Sequence, residues 1–348
     1  MPTGRSRQIL IAILLVIFSL LAFLTLLPTF GYRPSLRHLA QGQLLAARNM
    51  RTILQTDAFA STIAYENGFA YVVGGKAPLQ DESQARGLTI WSLADPAAPA
   101  LVGFLDGFFG YDVAVKDGFV YIASGGELVV VDARDAVRPA LIDVLPAEGL
   151  FELHQVGREL YLLNATGVSL YATDDPTNLR LVQSIPDLLA FDVAGLNSTR
   201  VFLTADALVY YTPGDNGLAE RGSIPLEQAP ENSDLINVDN ELAVAGNFVV
   251  ATGLGGWHLF DFGGVEPIYE GFYAEDVGRP AGAALAYPHL YLADWENGVL
   301  VVDLTDASQP AVVGYDRDLA ATDLIVLDDV IYTSSRALQP VTILRHLR

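Results

Sequence analysis

The chain has 348 residues, of which 51% are hydrophobic and 18% are charged, and this composition excludes an intrinsically disordered protein. It contains no cysteine, which excludes disulfide bonds, a thiol nucleophile, thiolate metal ligands and a lipidated cysteine anchor. The net charge is −21, but the first 51 residues hold six arginines and no acid, so the remainder carries 14 basic and 41 acidic residues, a net −27. A field of this sign opposes nucleic-acid binding and favours solubility, cations and cationic partners.

An uncharged run of 19 residues, Ile9 to Leu27, follows a short basic tail formed by residues 1–8. As a helix it would span about 28 Å, close to the hydrocarbon thickness of a bilayer. The run is longer than the roughly 7 to 15 apolar residues of a secretory signal peptide, and no A-x-A cleavage site follows it. The sequence therefore predicts an uncleaved transmembrane signal anchor, with a cleaved signal peptide as the alternative.

Arginines lie on both sides of the apolar run, so the positive-inside rule does not decide the orientation of this anchor. The predicted orientation rests instead on the basic tail. A short basic tail before the first hydrophobic segment is the usual arrangement for export. We therefore expect a single-pass protein of the cell membrane whose main domain, residues 51–348, is extracytoplasmic. Residues 28–50 are predicted to be a juxtamembrane linker.

The stretch from Tyr111 to Leu145 is the clearest copy of a repeated unit with four short strands. Its first strand ends at Asp117-Gly118, a tight-turn signal, and an apolar second strand follows. A β-branched third strand ends at Asp132, and Pro139 precedes a fourth. One unit is thus predicted to be a four-stranded antiparallel meander.

Seven such units can be aligned on the middle residue of the second strand, and the aligned residues lie 40 to 42 positions apart wherever no long loop intervenes. The aligned residues are Tyr71, Tyr121, Tyr161, Phe202, Val249, Tyr291 and Tyr332. This is the period of propeller blades. The sequence therefore predicts an all-β, seven-bladed β-propeller as one domain. Six blades plus an irregular cap is the alternative, because the entry to the fifth unit, Gln228 to Asn240, is long.

The seventh unit reaches the C-terminus before any fourth strand. A strand-like piece, Arg51 to Thr56, stands alone before the first unit. Pairing of this piece with the third strand of the last unit, Val341 to Arg345, would close the ring and remove two exposed sheet edges. The sequence predicts this closure by an N-terminal strand.

Two segments carry a recognisable motif, LVVVDARDAVRPALI at Leu128 to Ile142 and GVLVVDLTDASQPAVVG at Gly298 to Gly314. They resemble the LVIVD-repeat proteins, bacterial β-propeller-like chains. The resemblance implies the fold and an extracytoplasmic, often membrane- or surface-attached location, but no reaction or ligand. The motif carboxylates Asp132 and Asp303 are predicted to accept hydrogen bonds from backbone N–H groups in the turn that follows.

A polar residue stands at the start of most inner strands, where a seven-fold ring would bring it towards the axis. These residues are Asp112, Glu152, Asp192, Asn240 and Asp323. Converging oxygen atoms could hold Ca²⁺, another hard cation or a cationic ligand group. The alternative is that each acid caps the backbone of the adjoining blade.

The loops on the same face are the longest in the chain, with insertions at Lys76 to Arg86, Gln228 to Leu235 and Tyr273 to Ala281. Aromatic residues on this loop-rich face suggest a patch for a partner: Phe108, Phe109, Tyr273 and Trp295. The alternative is that these side chains pack against neighbouring blades.

No catalytic motif or resident cofactor is predicted, and the five histidines show no metal-ligand spacing. His154, on an inner strand, is the only one expected near the axis. The leading hypothesis is a membrane-anchored extracytoplasmic module that binds an unknown protein or cationic ligand through its loop-rich face. The alternatives are a propeller hydrolase or lactonase-like enzyme with an axial divalent cation, and a structural envelope protein.

Overall fold

The computed structural model describes residues 47–76, 87–214, 217–226, 240–253, 255–274, 278–334 and 340–347. Every regular element within these residues is a β-strand. The strands are β1 (Ala47–Arg48), β2 (Met50–Glu66), β3 (Phe69–Lys76), β4 (Leu88–Ser92), β5 (Ala100–Leu105), β6 (Asp112–Lys116), β7 (Phe119–Ser124), β8 (Glu127–Asp132), β9 (Ala140–Pro146), β10 (Leu150–Val156), β11 (Glu159–Asn164), β12 (Gly167–Ala172), β13 (Arg180–Pro186), β14 (Asp192–Leu196), β15 (Thr199–Leu203), β16 (Ala207–Gly214), β17 (Gly217–Pro225), β18 (Leu242–Ala245), β19 (Phe248–Gly253), β20 (Gly256–Asp261), β21 (Ile268–Tyr273), β22 (Pro280–Ala286), β23 (His289–Asp294), β24 (Gly298–Asp303), β25 (Ala311–Asp316), β26 (Asp323–Leu327), β27 (Val330–Ser334) and β28 (Pro340–His346).

The strands form seven four-stranded antiparallel blades, so the predicted propeller is confirmed. Blades 2 to 5 are the separate sheets β6–β9, β10–β13, β14–β17 and β18–β21, and blade 6 is β22–β25. Blades 7 and 1 share one seven-stranded sheet, in which β2 lies between β28 and β3. The first half of β2 is therefore the outer strand of blade 7, and its second half is the inner strand of blade 1.

The predicted ring closure is confirmed by the register of β2. Arg51 pairs with Arg345, Thr52 with Leu344 and Leu54 with Ile343. Just before it, β1 adds a short fifth strand to the outer edge of blade 6 by pairing with β25. β1 and the first residue of β2 lie inside the segment predicted to be a linker, residues 28–50.

Seven hydrophobic clusters hold the ring together, one between each pair of neighbouring blades. The second and third strands are largely buried because each blade is packed between two others, which explains continuous apolar runs such as Phe119 to Ser124, every residue of which is buried. The seven residues aligned from the sequence are all buried.

Two of those seven alignments are off by one residue. Tyr121 packs between blades 2 and 3, towards the following blade, whereas Phe202 and Val249 pack towards the preceding blade. Their neighbours Val201 and Val250 occupy the equivalent position. Successive residues of a strand point to opposite faces, so a slip of one residue exchanges the two faces without changing the apolar character of the strand.

The carboxylates of the repeated motif organise the turns between third and fourth strands, as predicted. Asp132 Oδ1 accepts a hydrogen bond from Arg134 N at 3.1 Å, and Asp303 Oδ1 accepts one from Thr305 N at 2.8 Å. The side chain of Arg134 also bonds Asp132 and, with burial opposing it, holds the pKa of that carboxyl below its ordinary value. Their role is therefore architectural.

The predicted transmembrane span, Ile9 to Leu27, lies outside the described residues. Among the residues that the structure does describe, no helix has the length and apolar character needed to cross a membrane.

Removing residues 1–56 should destabilise the propeller, because it deletes the outer strand of blade 7 and the contact of Ile53 with the core between blades 7 and 1. We expect the melting temperature to fall by at least ~10 °C, since each lost buried hydrogen bond costs about 1 kcal/mol. Circular dichroism melts and size-exclusion chromatography would measure the change and any aggregation through the freed edge. A chain lacking only residues 1–44 is the control, and equal melting of the two truncated chains would contradict the closing role of β2.

Candidate functional site

The inner strands of neighbouring blades contact one another around a closed ring of β2, β6, β10, β14, β18, β22 and β26. They belong to different sheets, apart from β2 and β26, and so lack a regular ladder between them. Side chains at the starts of these strands bridge the gaps. The predicted acids lie at this mouth of the central channel, on the face that carries the loop-rich insertions.

Each bridging carboxylate accepts a hydrogen bond from a backbone N–H of the next blade. Asp112 Oδ2 accepts one from Leu153 N at 2.7 Å, and Asp323 Oδ2 accepts one from Ile63 N at 3.3 Å and another from Thr62 Oγ1 at 3.0 Å. The two contacts of Asp323 join blade 7 to blade 1. The capping alternative considered for the ring therefore describes what these acids do within the fold.

The same contact recurs from blade 4 to blade 5 and from blade 5 to blade 6. Asp192 Oδ2 accepts a hydrogen bond from Leu242 N at 2.5 Å, and Glu241 Oε2 accepts one from Ala283 N at 3.0 Å. Asn240 was predicted for this position of blade 5, but the structure places Glu241 there. Asn240 is buried beside Gly253, and its Oδ1 has no hydrogen-bond partner within the described residues.

Glu241 was missed because of the one-residue slip described above. Measured from Val250, Glu241 stands nine residues back, as Asp112 does from Tyr121 and Asp323 does from Tyr332. The signal was present in the spacing once the side-chain alternation of the second strand was assigned correctly.

The carboxylates act on one another across the channel. Burial raises the pKa of Glu241 well above its ordinary value, and the charges of Asp323, Asp192 and Glu152 raise it further, although the Ala283 N–H opposes the shift. These acids come from blades 3, 4 and 7, whose inner strands belong to the same contacting ring. Burial also raises the pKa of Asp192, against the opposing influence of His154 and two backbone N–H groups. The carboxylates at the channel mouth thus produce a strong negative potential, which favours protonation of the acids within it.

Among the described residues, the basic side chain beside these acids is His154, which was expected near the axis from its inner strand. Its Nε2 lies 3.1 Å from Oδ1 of Asp192 and 3.9 Å from Oε1 of Glu152. The imidazole of His154 is not oriented for a hydrogen bond to either oxygen. A protonated imidazole would therefore be attracted to both carboxylates without being fixed by them.

The four aromatic residues predicted for a partner patch are divided between two regions of the loop-rich face. Phe108 packs against the core between blades 1 and 2, while Phe109 beside it is 47% exposed. Tyr273 stacks on Trp257 with ring centroids 4.3 Å apart and donates a hydrogen bond to Ala307 O at 3.2 Å. Trp295 is half-buried in the turn between β23 and β24. The large insertions around them lie mostly outside the described residues.

A fully buried acid that the sequence did not single out, Asp294, holds the turn that carries Trp295. Its Oδ1 accepts hydrogen bonds from Glu296 N and Asn297 N, both at 2.8 Å, and its Oδ2 accepts one from Gly278 N at 2.7 Å. Asp294 therefore joins this turn to the segment entering blade 6. The only sequence signal was a turn-like Asp-Trp-Glu-Asn-Gly string.

In the described part of the chain, no group of three or more His, Asp or Glu side chains has the arrangement of a metal site. Asp112, Asp192, Glu241 and Asp323 each accept a hydrogen bond from a backbone N–H group of the next blade.

Comparison with known proteins agrees with the motif. The sequence-family model of the LVIVD repeat matches residues 110–143 and 288–315, which cover most of blade 2 and much of blade 6. The chain is a seven-bladed propeller that carries LVIVD repeats. Among curated protein sequences, none matches this LVIVD-repeat propeller.

Solved structures that resemble the LVIVD-repeat propeller share its fold at low sequence identity. Sqt1 from Saccharomyces cerevisiae is 12% identical with a TM-score of 0.57, covering 87% of this chain and 100% of its own. BamB from Moraxella catarrhalis is 12% identical with a TM-score of 0.52, covering 85% and 97%. A chain from the S. cerevisiae complex of dbp5 bound to nup159 is 12% identical with a TM-score of 0.52, covering 85% and 93%.

Replacing Glu241 with Gln should stabilise the protein at neutral pH. Because the folded-state pKa is raised, the unfolded chain loses its proton first as the pH rises above 4.5, and the wild-type protein loses stability from there up to the folded pKa. Gln keeps an acceptor for Ala283 N–H but carries no charge. Urea unfolding from pH 4 to 8 should show a stability gain for Glu241→Gln that disappears at the acidic end.

The matched control is Glu127→Gln, which neutralises an exposed glutamate of blade 2. This variant should follow the wild-type pH dependence. A Glu241→Gln protein that is less stable than wild type at pH 7 would show that the ring prefers the charged form.

Proposed function

We propose that the LVIVD-repeat propeller is a binding module for a protein partner, and that a cationic side chain of the partner enters the acidic mouth of the channel. The observation that carries this proposal is that Glu152, Asp192, Glu241 and Asp323 lie at the starts of inner strands from four different blades, and that these strands form one contacting ring. Burial is the main cause of the raised pKa of Glu241, and the charges of the other acids add to it; a lysine or arginine side chain placed there would relieve that mutual repulsion.

The backbone contacts of these acids leave them able to act on a ligand. A carboxylate has about four lone-pair sites, and an N–H bond such as the one from Leu242 to Asp192 uses one of them. The same N–H groups fix the orientation of the oxygens, so the site is rigid before the partner arrives. Preorganisation of this kind lowers the entropic cost of binding.

Propellers of this fold include one known from a structure with a bound protein, dbp5 bound to nup159. At 12% identity this likeness concerns the fold, and we extend protein binding to the present chain as a proposal. The net charge of −27 beyond residue 51 supports the choice of a cationic partner, because the long-range field would steer a basic surface towards the propeller.

A short arginine-containing peptide and its citrulline counterpart, which has the same shape without the charge, would test the proposal. We expect the full-length chain to bind the arginine peptide at least roughly tenfold more tightly, a difference of about 1.4 kcal/mol. Asp192→Asn and Asp323→Asn should each remove most of that preference, since Asn keeps an acceptor for the backbone N–H and loses the charge. Isothermal titration calorimetry at two salt concentrations measures both effects.

The matched control is Asp132→Asn, which neutralises an acid in a turn on the opposite face and should leave the preference unchanged. Equal affinity for the two peptides would overturn the proposal. Calorimetric binding of Ca²⁺ that is lost in Asp192→Asn and Asp323→Asn would favour the hydrolase alternative with an axial cation.

We further propose that residues 9–27 anchor the propeller to a membrane with the propeller on the extracytoplasmic side. The support is the length and apolar character of this run and the basic tail before it. The full-length chain should remain in the membrane fraction after carbonate extraction, and protease added to intact cells should cleave the propeller. A chain lacking residues 9–27 should lose the membrane association, and a full-length chain found in the soluble fraction would contradict the anchor.

A further inference from the structure

A cleft of about 330 Å³ lies between the outer parts of blades 4 and 5, away from the axis. It is formed by the end of β16, by β17 and by the turn between β20 and β21, so it opens on the face opposite the loop-rich mouth. Its volume is at the lower end of the range for small-molecule sites, about 300 to 1,000 Å³. The ring of acids at the axis takes no part in it.

The cleft combines two opposite charges with an aromatic wall. Arg221 and Glu266 both line it, and so do the rings of Tyr210 and Phe262, which meet edge to face with centroids 5.9 Å apart. Within the described part of the chain, Arg221 and Glu266 form no ion pair with each other or with another side chain. Two uncompensated charges flanking an apolar surface are complementary to a zwitterion with an apolar side chain.

The charged groups are held in position by neighbouring side chains. Arg221 Nε donates a hydrogen bond to Thr212 Oγ1 at 2.6 Å, which leaves its two terminal nitrogens for a carboxylate. Tyr210 OH donates to Glu266 Oε2 at 3.4 Å, which leaves Oε1 for an ammonium group. The Tyr210 ring lies over Gly222, where a Cβ would come within 2.6 Å of the Tyr210 oxygen, so Gly222 is needed for this placement.

A second observation singles out Arg221. The outer strand of every blade contains a β-bulge, in which one extra residue is inserted opposite the third strand. The bulge residues, in chain order, are Ile53, Val102, Ile142, Val182, Arg221, Glu270 and Val313. Five are β-branched and apolar, and four of these pack against an inter-blade core. The charged exceptions are Arg221 of blade 4, which lines the cleft, and Glu270 of blade 5, which is not among its lining residues.

We propose that this cleft is a binding site for a free α-amino acid with an aromatic or aliphatic side chain. The carboxylate binds the guanidinium of Arg221, the ammonium group binds Glu266, and the side chain lies against Tyr210 and Phe262. The bulge directs Arg221 into the cleft, since the extra residue of a bulge re-aims a side chain that a regular strand would direct elsewhere. The proposal is independent of the axial site.

The test compares three probes on the full-length chain by calorimetry and by saturation-transfer NMR. L-phenylalanine carries both charges, N-acetyl-phenylalanine lacks the ammonium group, and phenylalanine amide lacks the carboxylate. We expect L-phenylalanine to bind and each blocked probe to bind at least tenfold more weakly. Arg221→Gln should abolish the difference between L-phenylalanine and the amide while preserving the difference from the N-acetyl compound, and Glu266→Gln should do the reverse.

Thr212→Val, which removes the hydroxyl that holds Arg221, should weaken binding of L-phenylalanine and leave binding of the amide unchanged. Arg180→Gln is the matched control, because Arg180 is an exposed arginine on the outer strand of blade 3. Both Arg221 and Glu266 are exposed, so circular dichroism should show folded variants. Failure of L-phenylalanine to bind at millimolar concentration, or identical affinities for all three probes, would overturn the proposal, as would unchanged binding in Arg221→Gln.

Discussion

The propeller depends on one shared strand. β2 is 17 residues long, and it pairs with β28 through its first half and with β3 through its second half. The outer edge of the last blade and the inner edge of the first blade are thus parts of the same strand. Each of the seven cores lies between two blades, so a ring left open would expose two core faces and two sheet edges at once. Closure therefore stabilises all seven blades together.

A second constraint follows from bringing seven sheets to one axis. Inner strands of neighbouring blades approach each other without a regular ladder, and their buried N–H groups require acceptors. Asp112, Asp192, Glu241 and Asp323 supply those acceptors across the blade boundaries. The hydrogen bonds that secure the fold also collect negative charge at the channel mouth. The same residues therefore hold the blades together and supply the charge for binding. Substitutions of Asp by Asn or Glu by Gln distinguish the two roles, because they keep a hydrogen-bond acceptor and remove the charge.

The sequence predicted the blade count, the strand order and the closing strand because these follow from a period of about forty residues and from an unpaired strand at each end of the repeats. When a strand is buried on both faces, its side chains are apolar on both, so the apolar pattern alone does not show which face packs against the next blade. Phe202 and Val249 were therefore aligned in place of Val201 and Val250, and Asn240 was chosen where Glu241 stands. A fixed spacing identifies a ring position only after the alternation of the second strand is known.

The cleft between blades 4 and 5 could not be predicted from the repeat, because its residues, such as Arg221, differ from those at the same positions of other blades. A bulge is a backbone feature, and the outer strand keeps it in every blade whether the extra residue is Val102 or Arg221. The position therefore tolerates a change from an apolar side chain packed on the core to a charged one in solvent without a change of fold. A charge at such a position serves no packing purpose. Of the two charged bulge residues, Arg221 lines the cleft, and the binding role proposed for the cleft gives that charge a purpose.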